Sequence, residues 1–517
     1  MSIALTGPAL AKVDRASARY SYLRDVHHRI ALKDSTIWGE HAQAEAAQRL
    51  NWVDLPDTSP ALKGEVDAIA SHFAACTRII LCGMGGSSLA PEVLSKSFNR
   101  EILIIDTTDP NHLQDALVGN LSETLFIISS KSGSTIETAS QRAFFESELI
   151  KAGLLPSNHM VFVTDPGSPL DTQVRSAGFQ VLNADPNVGG RFSALSAFGV
   201  LPAVLAGIDM WRVLSDASEC KRDFLADDTH ILDVAYLLSE VAGQYIAFTD
   251  NGSQVPGLSD WIEQLIAEST GKDGTGRLPV VCEDVGAAEV GGAFTVSFVD
   301  SQADLNVVAP LGGHFIFWEW VTAILGAALA VDPFNQPNVT EAKEQTMALL
   351  HEWGGNGKTS APTLTPTSSS SSIEIFGSGS SLSDSLQLLI NGVDKDGYIA
   401  IMAYLDRTDD AALSELRAIL ARKSGRPATF GWGPRFLHST GQFHKAGQPN
   451  GSFLQITAEA DVDFNIPAQD FSFATLLAAQ ALGDGRALSK RNYPLLRLHC
   501  KKRSAGILEI LEAARAL

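Results

Sequence analysis

"TLFIISSKSGSTIET", residues 124–138, is the stretch whose reading decides the fold. A β-branched apolar run ends in Ser129. Ser130, Lys131, Ser132, Gly133, Ser134 and Thr135 then lead into "IETASQRAFFESEL", whose apolar residues fall at helical spacing. A buried strand that enters a helix through a short polar turn is the building unit of a parallel sheet covered on both faces. Ligands of such sheets sit at the carboxyl ends of the strands. An ordinary helix cap needs one hydroxyl. Four hydroxyls between residues 130 and 135, beside a lysine and a glycine, are the donors a small anion such as phosphate would use at a helix N-terminus.

Working outward, the same rhythm recurs. "RIILCGM", "EILIID", "HMVFVTD" and "FQVLNAD" are further short strand-like runs, most separated by helix-length polar stretches. They predict a first α/β domain over 76–190, after a helical segment at 1–75. "YIAFTD", "LPVVCED", "FTVSFVD" and "LNVVAP", with the helix "LSDWIEQLIAEST", predict a second over 191–353. Residues 354–385 are rich in Ser, Gly, Thr and Pro and read as a linker. Beyond them, over 386–517, two helices and four strands in the order βαββαβ predict a small α+β domain of ferredoxin-like type.

Composition limits the partners. The 517 residues carry 39 Lys+Arg against 59 Asp+Glu, a net charge of −20, which argues against nucleic acid or an anionic membrane as the main partner. The longest apolar runs fall short of the ~18 residues a membrane span needs, and the first residues carry no basic region of a secretory signal. Five scattered cysteines without CxxC spacing indicate neither a disulfide framework nor a zinc site, and read as reduced core residues of a cytoplasmic protein.

Three further stretches bear on chemistry. "ILCGMGGSSLAPEVL" runs a strand into Gly83, Gly85, Gly86, Ser87 and Ser88, where glycines would let backbone N–H groups approach an anion. The alternative is a plain strand-to-helix turn. "GGRFSALSAFG" puts Arg191 at a glycine-rich helix entrance, where it would stabilise a developing oxyanion or form an ordinary ion pair. "LIAESTGKDGTGR" sets Glu268 near the end of an apolar helix, where the dipole and burial would raise a carboxyl pKa toward that of a general base. Alone, it reads equally as a helix-end glutamate.

Taken in order, "GMGGSSLAP", "SSKSGSTIET", "GGRFSALSAFG", "ESTGKDG" and "DPFNQPNVTEAK" resemble the glucose-6-phosphate isomerase family. "ALKDSTIWGE", "FGWGPRFLHSTGQFHKAG" and "SFLQIT" resemble the isomerase half of bacterial fused transaldolase/glucose-6-phosphate isomerases. The resemblance implies two flavodoxin-like sugar-isomerase (SIS) domains and an enzyme of sugar metabolism that needs no metal or organic cofactor. The implied reaction interconverts glucose 6-phosphate and fructose 6-phosphate through a cis-enediol. Residue by residue, it implies Ser130, Lys131, Ser132 and Thr135 for the phosphate, and Gly86 and Ser87 for the loop beside the substrate. Arg191 falls to the enediolate oxygens, Glu268 to the base, and Gln336 and Lys343 to the family's glutamine and lysine seven residues apart. The family's usual "HQGTK" histidine has no counterpart. The matching region, "APLGGHFIFWEW", offers His314 as the candidate for ring opening, or as a packed core residue. His438 and His444 read as structural. A homodimer is the implied assembly and a hexose 6-phosphate the implied substrate. A non-catalytic SIS sensor, or an isomerase preferring mannose or amino-sugar phosphates, are the other readings.

Overall fold

The computed structural model describes residues 3–288, 292–354, 361–362 and 364–517. The chain divides into two compact units, Met1–Asp106 with Gly119–Ala288 and Phe294–Asn335, and Thr107–Val118 with Glu289–Ala293 and Gln336–Leu517.

In the first unit β1 (Ala4–Thr6) precedes the helices Ala18–Ala31, Glu40–Arg49 and Lys63–His72. The five runs that follow form β2 (Arg78–Gly83), β3 (Leu103–Ile105), β4 (Thr124–Ser129), β5 (Met160–Thr164) and β6 (Gln180–Asn183). They pair in parallel in the order β3-β2-β4-β5-β6. Both faces are covered, so β4 is buried at every position and reads as a continuous apolar run. The order reverses between β2 and β4. Gly83 and Ser129 are register partners there, so the loops after these strands leave the sheet side by side.

A second sheet contains β7 (Tyr245–Thr249), β8 (Leu278–Val281), β9 (Phe294–Ser297) and β10 (Leu305–Val308), in the order β1-β10-β9-β7-β8. All its pairs are parallel except β1 with β10. The expected N-terminal helical segment therefore also lends a strand to this sheet. Its three residues alternate too briefly to stand out in the sequence. The helix Leu311–Ala328 is buried from Leu311 to Ala327, which explains its lack of a polar face. Among the described residues no helix is long and apolar enough to cross a membrane.

The second unit corrects two expectations. Its sheet has six strands, β11 (Ser368–Ser369), β12 (Ile373–Phe376), β13 (Tyr398–Tyr404), β14 (Ala428–Trp432), β15 (Gly451–Ala458) and β16 (Leu495–Cys500), in the order β11-β12-β16-β15-β13-β14. β13 to β16 are parallel, so the domain is not ferredoxin-like. The reason lies in residues 433–450. That glycine- and histidine-rich stretch contains the helix Gly441–Ala446, so β14 and β15 are joined by a crossover and not by a hairpin. Within the expected linker, β11, β12 and the start of the helix Leu382–Asn391 are regular structure, and β12 pairs antiparallel with β16. Its residues 355–360 and 363 lie outside the described residues. Each unit has its own apolar core.

Candidate active site

Arg191 is held in a one-turn helix, Gly190–Phe192, and is 4% exposed. Its Nε donates to Ser269 Oγ at 2.8 Å, and Nη2 donates to the carbonyls of Pro333 (2.6 Å) and Asn335 (2.9 Å). Nη1 stands 3.4 Å from Glu268 Oε1. The two carbonyls are aimed by the turn of "DPFN", which Asp332 closes by accepting the amides of Phe334 (2.8 Å) and Asn335 (3.4 Å). Behind this turn stand aromatic rings. Trp38 meets Phe334 edge-on at 4.9 Å, Phe334 meets Phe192 at 5.5 Å, and Phe192 meets Trp52 at 5.2 Å. Trp38 is itself fixed by an Nε1 hydrogen bond to Ala323 O. Packed rings thus lock the loops that carry the arginine.

Glu268 lies in the last turn of the helix Leu258–Thr270 and is 6% exposed; its Oε2 accepts from Gln264 Nε2 at 3.2 Å. The following "TGKDGTGR" folds back on itself. Gly276 must be glycine, with φ +133° and Thr270 O at 2.7 Å from where a Cβ would sit. Thr270 Oγ1 accepts the Arg277 amide and donates to Ile266 O. The turn buries Lys272, whose Nζ donates to Asp332 O. Burial, then the Arg191 charge, push its ammonium well below the ordinary value, against Asp332 and Glu268. Burial also lowers Arg191, with Glu268 opposing. Lys272 was within a quoted motif but drew no role. Its signal was the glycine pattern around it, which forces the turn inward.

The glycine loop reaches this cluster through Gly86. A Cβ there would lie 2.0 Å from Gly190 O, so the two loops touch backbone to backbone. Glycine is therefore required at 86 by the approach of Gly190. Ser87, half-buried, donates its amide to Met84 O at 3.2 Å.

The serine loop leaves the carboxyl end of β4, the strand next to β2 in the same sheet. Ser130 Oγ accepts the Gly133 amide at 3.1 Å, and Gly133, at φ +75°, presses on Leu170, leaving no room for a side chain. Ser132 and Ser134 share a hydrogen bond at 2.7 Å and are exposed. Thr135 is the N-cap of the helix Ile136–Lys151 yet makes no side-chain capping bond, so its hydroxyl is not used by the helix. Lys131 is engaged, with Nζ 2.7 Å from Asp165 Oδ2 and 2.9 Å from Pro186 O.

The remaining candidates fall elsewhere. His314 is 1% exposed, edge-on to Phe298 at 5.3 Å, with Nδ1 unpaired among the described residues. Burial lowers it to about 3, so it is a neutral ring. These are the surroundings of a core histidine. Gln336 and Lys343 belong to the second unit, as N-cap and as an exposed position of the helix Pro337–Trp353. His444 is buried, with Nδ1 2.9 Å from Tyr398 Oη.

The first unit thus holds a buried guanidinium facing a buried carboxyl, and the stretch that carries them is similar to known proteins. Residues 63–276 match the family model described as phosphoglucose isomerase. That stretch is similar to the glucose-6-phosphate isomerase family, as are the relatives that follow. A glucose-6-phosphate isomerase of Campylobacter jejuni is 34% identical over 234 residues, covering 43% of this chain and 57% of that protein. One from Thermus thermophilus is 27% identical over 385 residues, covering 60% of this chain and 92% of that protein. The chain thus spans little more than half of the length of the first of these. Among solved structures, one of a glucose-6-phosphate isomerase from Chlamydia trachomatis aligns with a TM-score of 0.58 at 18% identity, over 69% of this chain and 89% of the other. A Thermus thermophilus protein, TT0462, gives 0.59 at 24%, over 67% and 99%. These likenesses establish the α/β fold.

Proposed function

We propose that the chain is an aldose–ketose isomerase that interconverts glucose 6-phosphate and fructose 6-phosphate in the cytoplasm. The observation that carries this reading is the Arg191–Glu268 pair, 3.4 Å apart and almost wholly buried. In the opened sugar, Glu268 takes the proton from C2 of the aldose and returns it to C1, which makes the ketose through a cis-enediol. One carboxylate suffices because both carbons present the proton on one face. Arg191 stabilises the negative charge that grows on the oxygen, and exclusion of water strengthens that interaction. The hydroxyls of exposed Ser132 and half-buried Thr135, with Ser130 and Ser87, hold the phosphate at the helix N-terminus; Lys131 acts on it at longer range from its pairing with Asp165. Gly86 keeps the glycine loop against Arg191. For Gln336 and Lys343 we keep the roles that the resemblance implies, with Lys343 in place of His314 as the candidate for ring opening. A homodimer is the assembly we expect.

The test is conversion of fructose 6-phosphate by the full chain, followed through NADPH formation by glucose-6-phosphate dehydrogenase. Turnover supports the isomerase. A folded chain that binds fructose 6-phosphate without converting it is a sugar-phosphate sensor instead, and the proposal fails.

A further inference from the structure

In the second unit the helices Pro337–Trp353 and Phe473–Ser489 pack against each other. A Cβ on Gly483 would lie 3.2 Å from the backbone nitrogen of Thr346, so glycine serves that packing. Gly485, two residues on, is different. The atoms nearest to a Cβ there are Leu495 Cδ2 at 3.5 Å, Gln455 Oε1 at 3.6 Å and Arg497 Cδ at 3.8 Å, ordinary contacts that alanine would accept. Glycine inside a helix is less favourable than alanine, so packing gives no reason for it. What it leaves is space. Gly485 lies in the wall of a cavity of about 460 Å³, within the roughly 300–1,000 Å³ of small-molecule sites.

The cavity has an apolar side and a cationic one. Trp353, Leu482 and Leu495 supply the first, and Arg486, Lys490 and Arg497 the second. Arg486 and Lys490 are exposed and have the partners usual for cations at a helix end, Glu352 Oε2 at 3.0 Å and Gln345 Oε1 at 3.2 Å. Arg497, half-buried on β16, is not so placed. Its Nε donates to Gln455 Oε1 at 3.1 Å, and its guanidinium carbon lies 5.1 Å from the centre of the Phe376 ring. Among the described residues no carboxylate pairs with it and neither terminal nitrogen donates a hydrogen bond. Burial lowers its pKa from the ordinary arginine value, with no charge opposing. A guanidinium carries five N–H groups in a fork that matches phosphate, and one of them is used. On the apolar side Trp353 Nε1, a donor only, is buried without an acceptor among the described residues.

We propose that this cavity binds a nucleoside monophosphate, with the phosphate on Arg497 and Lys490 and the base against Trp353. The guanidinium fork takes two phosphate oxygens, and Lys490 adds a point charge on the exposed side. A flat base packs on the indole, and its ring nitrogens or carbonyl oxygens offer the acceptor that Trp353 Nε1 lacks. An inorganic anion would leave the tryptophan side unused, and an apolar ligand would leave Arg497 unpaired. A ligand that carries both a phosphate and a ring uses both sides. The site involves none of Ser132, Thr135, Arg191 and Glu268 and stands apart from the isomerase reading.

The test is calorimetric titration of the full-length chain with AMP, and with adenosine and inorganic phosphate as its two halves. We expect one saturable equivalent of AMP, bound at least tenfold more tightly than either half. Binding should be at least tenfold weaker in Arg497→Gln, at least threefold weaker in Lys490→Gln, and unchanged in Ser132→Ala with Thr135→Ala. Gly485→Ala should raise Tm and weaken AMP binding together, a combination that a purely structural glycine would not give. Because Lys490 is exposed, Lys490→Gln decides the matter if Arg497→Gln does not fold. No saturable AMP binding, phosphate bound as tightly as AMP, AMP binding that Arg497→Gln and Lys490→Gln leave unchanged, or its loss in the serine-loop variant overturns the site.

Discussion

Glu268→Gln separates base chemistry from architecture, because the amide keeps the size and shape of the carboxyl. It can still accept from Gln264 Nε2, which lies 3.2 Å from Oε2. What it loses is the ability to take a proton and its charge beside Arg191. Loss of a positioned general base costs about 10²- to 10⁴-fold in turnover, or about 2.7–5.5 kcal/mol of barrier. KM should stay within about threefold, since the substitution removes no donor to the phosphate. The stability effect follows from the 3.4 Å separation. Unit charges at that distance attract by about 5 kcal/mol at an effective dielectric of about 20, but the amide also avoids the cost of burying a carboxylate. Arg191 keeps its bonds to Ser269, Pro333 and Asn335, so the net loss should be about 1–3 kcal/mol. The coupled dehydrogenase assay reads the first effect and calorimetric unfolding the second. A kcat within tenfold of wild type, in a protein with native circular dichroism, would remove Glu268 as the base.

Gly86→Ala puts a methyl 2.0 Å from Gly190 O, which should cost about 1–3 kcal/mol of stability and lower kcat by shifting the Arg191 loop; an unchanged Tm would contradict the close approach. Ser132→Ala with Thr135→Ala should raise KM about tenfold or more while Tm hardly moves, because Thr135 makes no capping bond; an unaltered KM would place the phosphate elsewhere. Glu319 is fully buried with both oxygens unpaired among the described residues, and burial raises it well above the ordinary 4.5. The folded state therefore keeps a proton that the unfolded chain releases as pH passes that value, and stability falls as pH rises. Glu319→Gln should accordingly gain more Tm at pH 8 than at pH 5, and equal gains would refute this. His27 has the opposite sign. Burial lowers it to about 4, and its ring sits between Phe224 and Trp320 without hydrogen bonds among the described residues. Stability is lost as pH falls from 6.5 toward 4, so His27→Leu should gain more Tm at pH 5 than at pH 7.5.

The parallel sheets of the first unit were legible because strands buried on both faces are continuous apolar runs, as in "TLFIIS" and "MVFVT". Arg191 and Glu268 were each visible, but not their pairing. They are 77 residues apart in sequence and meet through the turn that Asp332 closes, which no local pattern announces. Lys131 looked like the cation of an anion cradle, and Asp165, which claims it, comes from the loop after a neighbouring strand. The glycines of "GMGG" were read as room for an anion. In the fold, Gly86 makes room for Gly190. The ferredoxin-like reading failed on one helix, Gly441–Ala446, whose six residues are too few to show a period.

With that helix in place, the second unit's sheet repeats the order of the second sheet of the first unit. β14-β13-β15-β16-β12 matches β8-β7-β9-β10-β1, each with an antiparallel strand beside the last parallel one. Both place an aspartate after the strand at the reversal, and the comparison shows what is unusual about Asp406. Asp250, directly after β7, spends Oδ2 on the amides of Gly257 (2.8 Å) and Ser259 (3.2 Å), so it works as the cap of the next helix. Asp406 spends Oδ1 in the same way and leaves Oδ2 buried and unpaired among the described residues. The aspartate after the strand thus caps a helix in one sheet, while in the other it is a buried carboxylate whose Oδ1 also lies 3.2 Å from Nδ1 of His112.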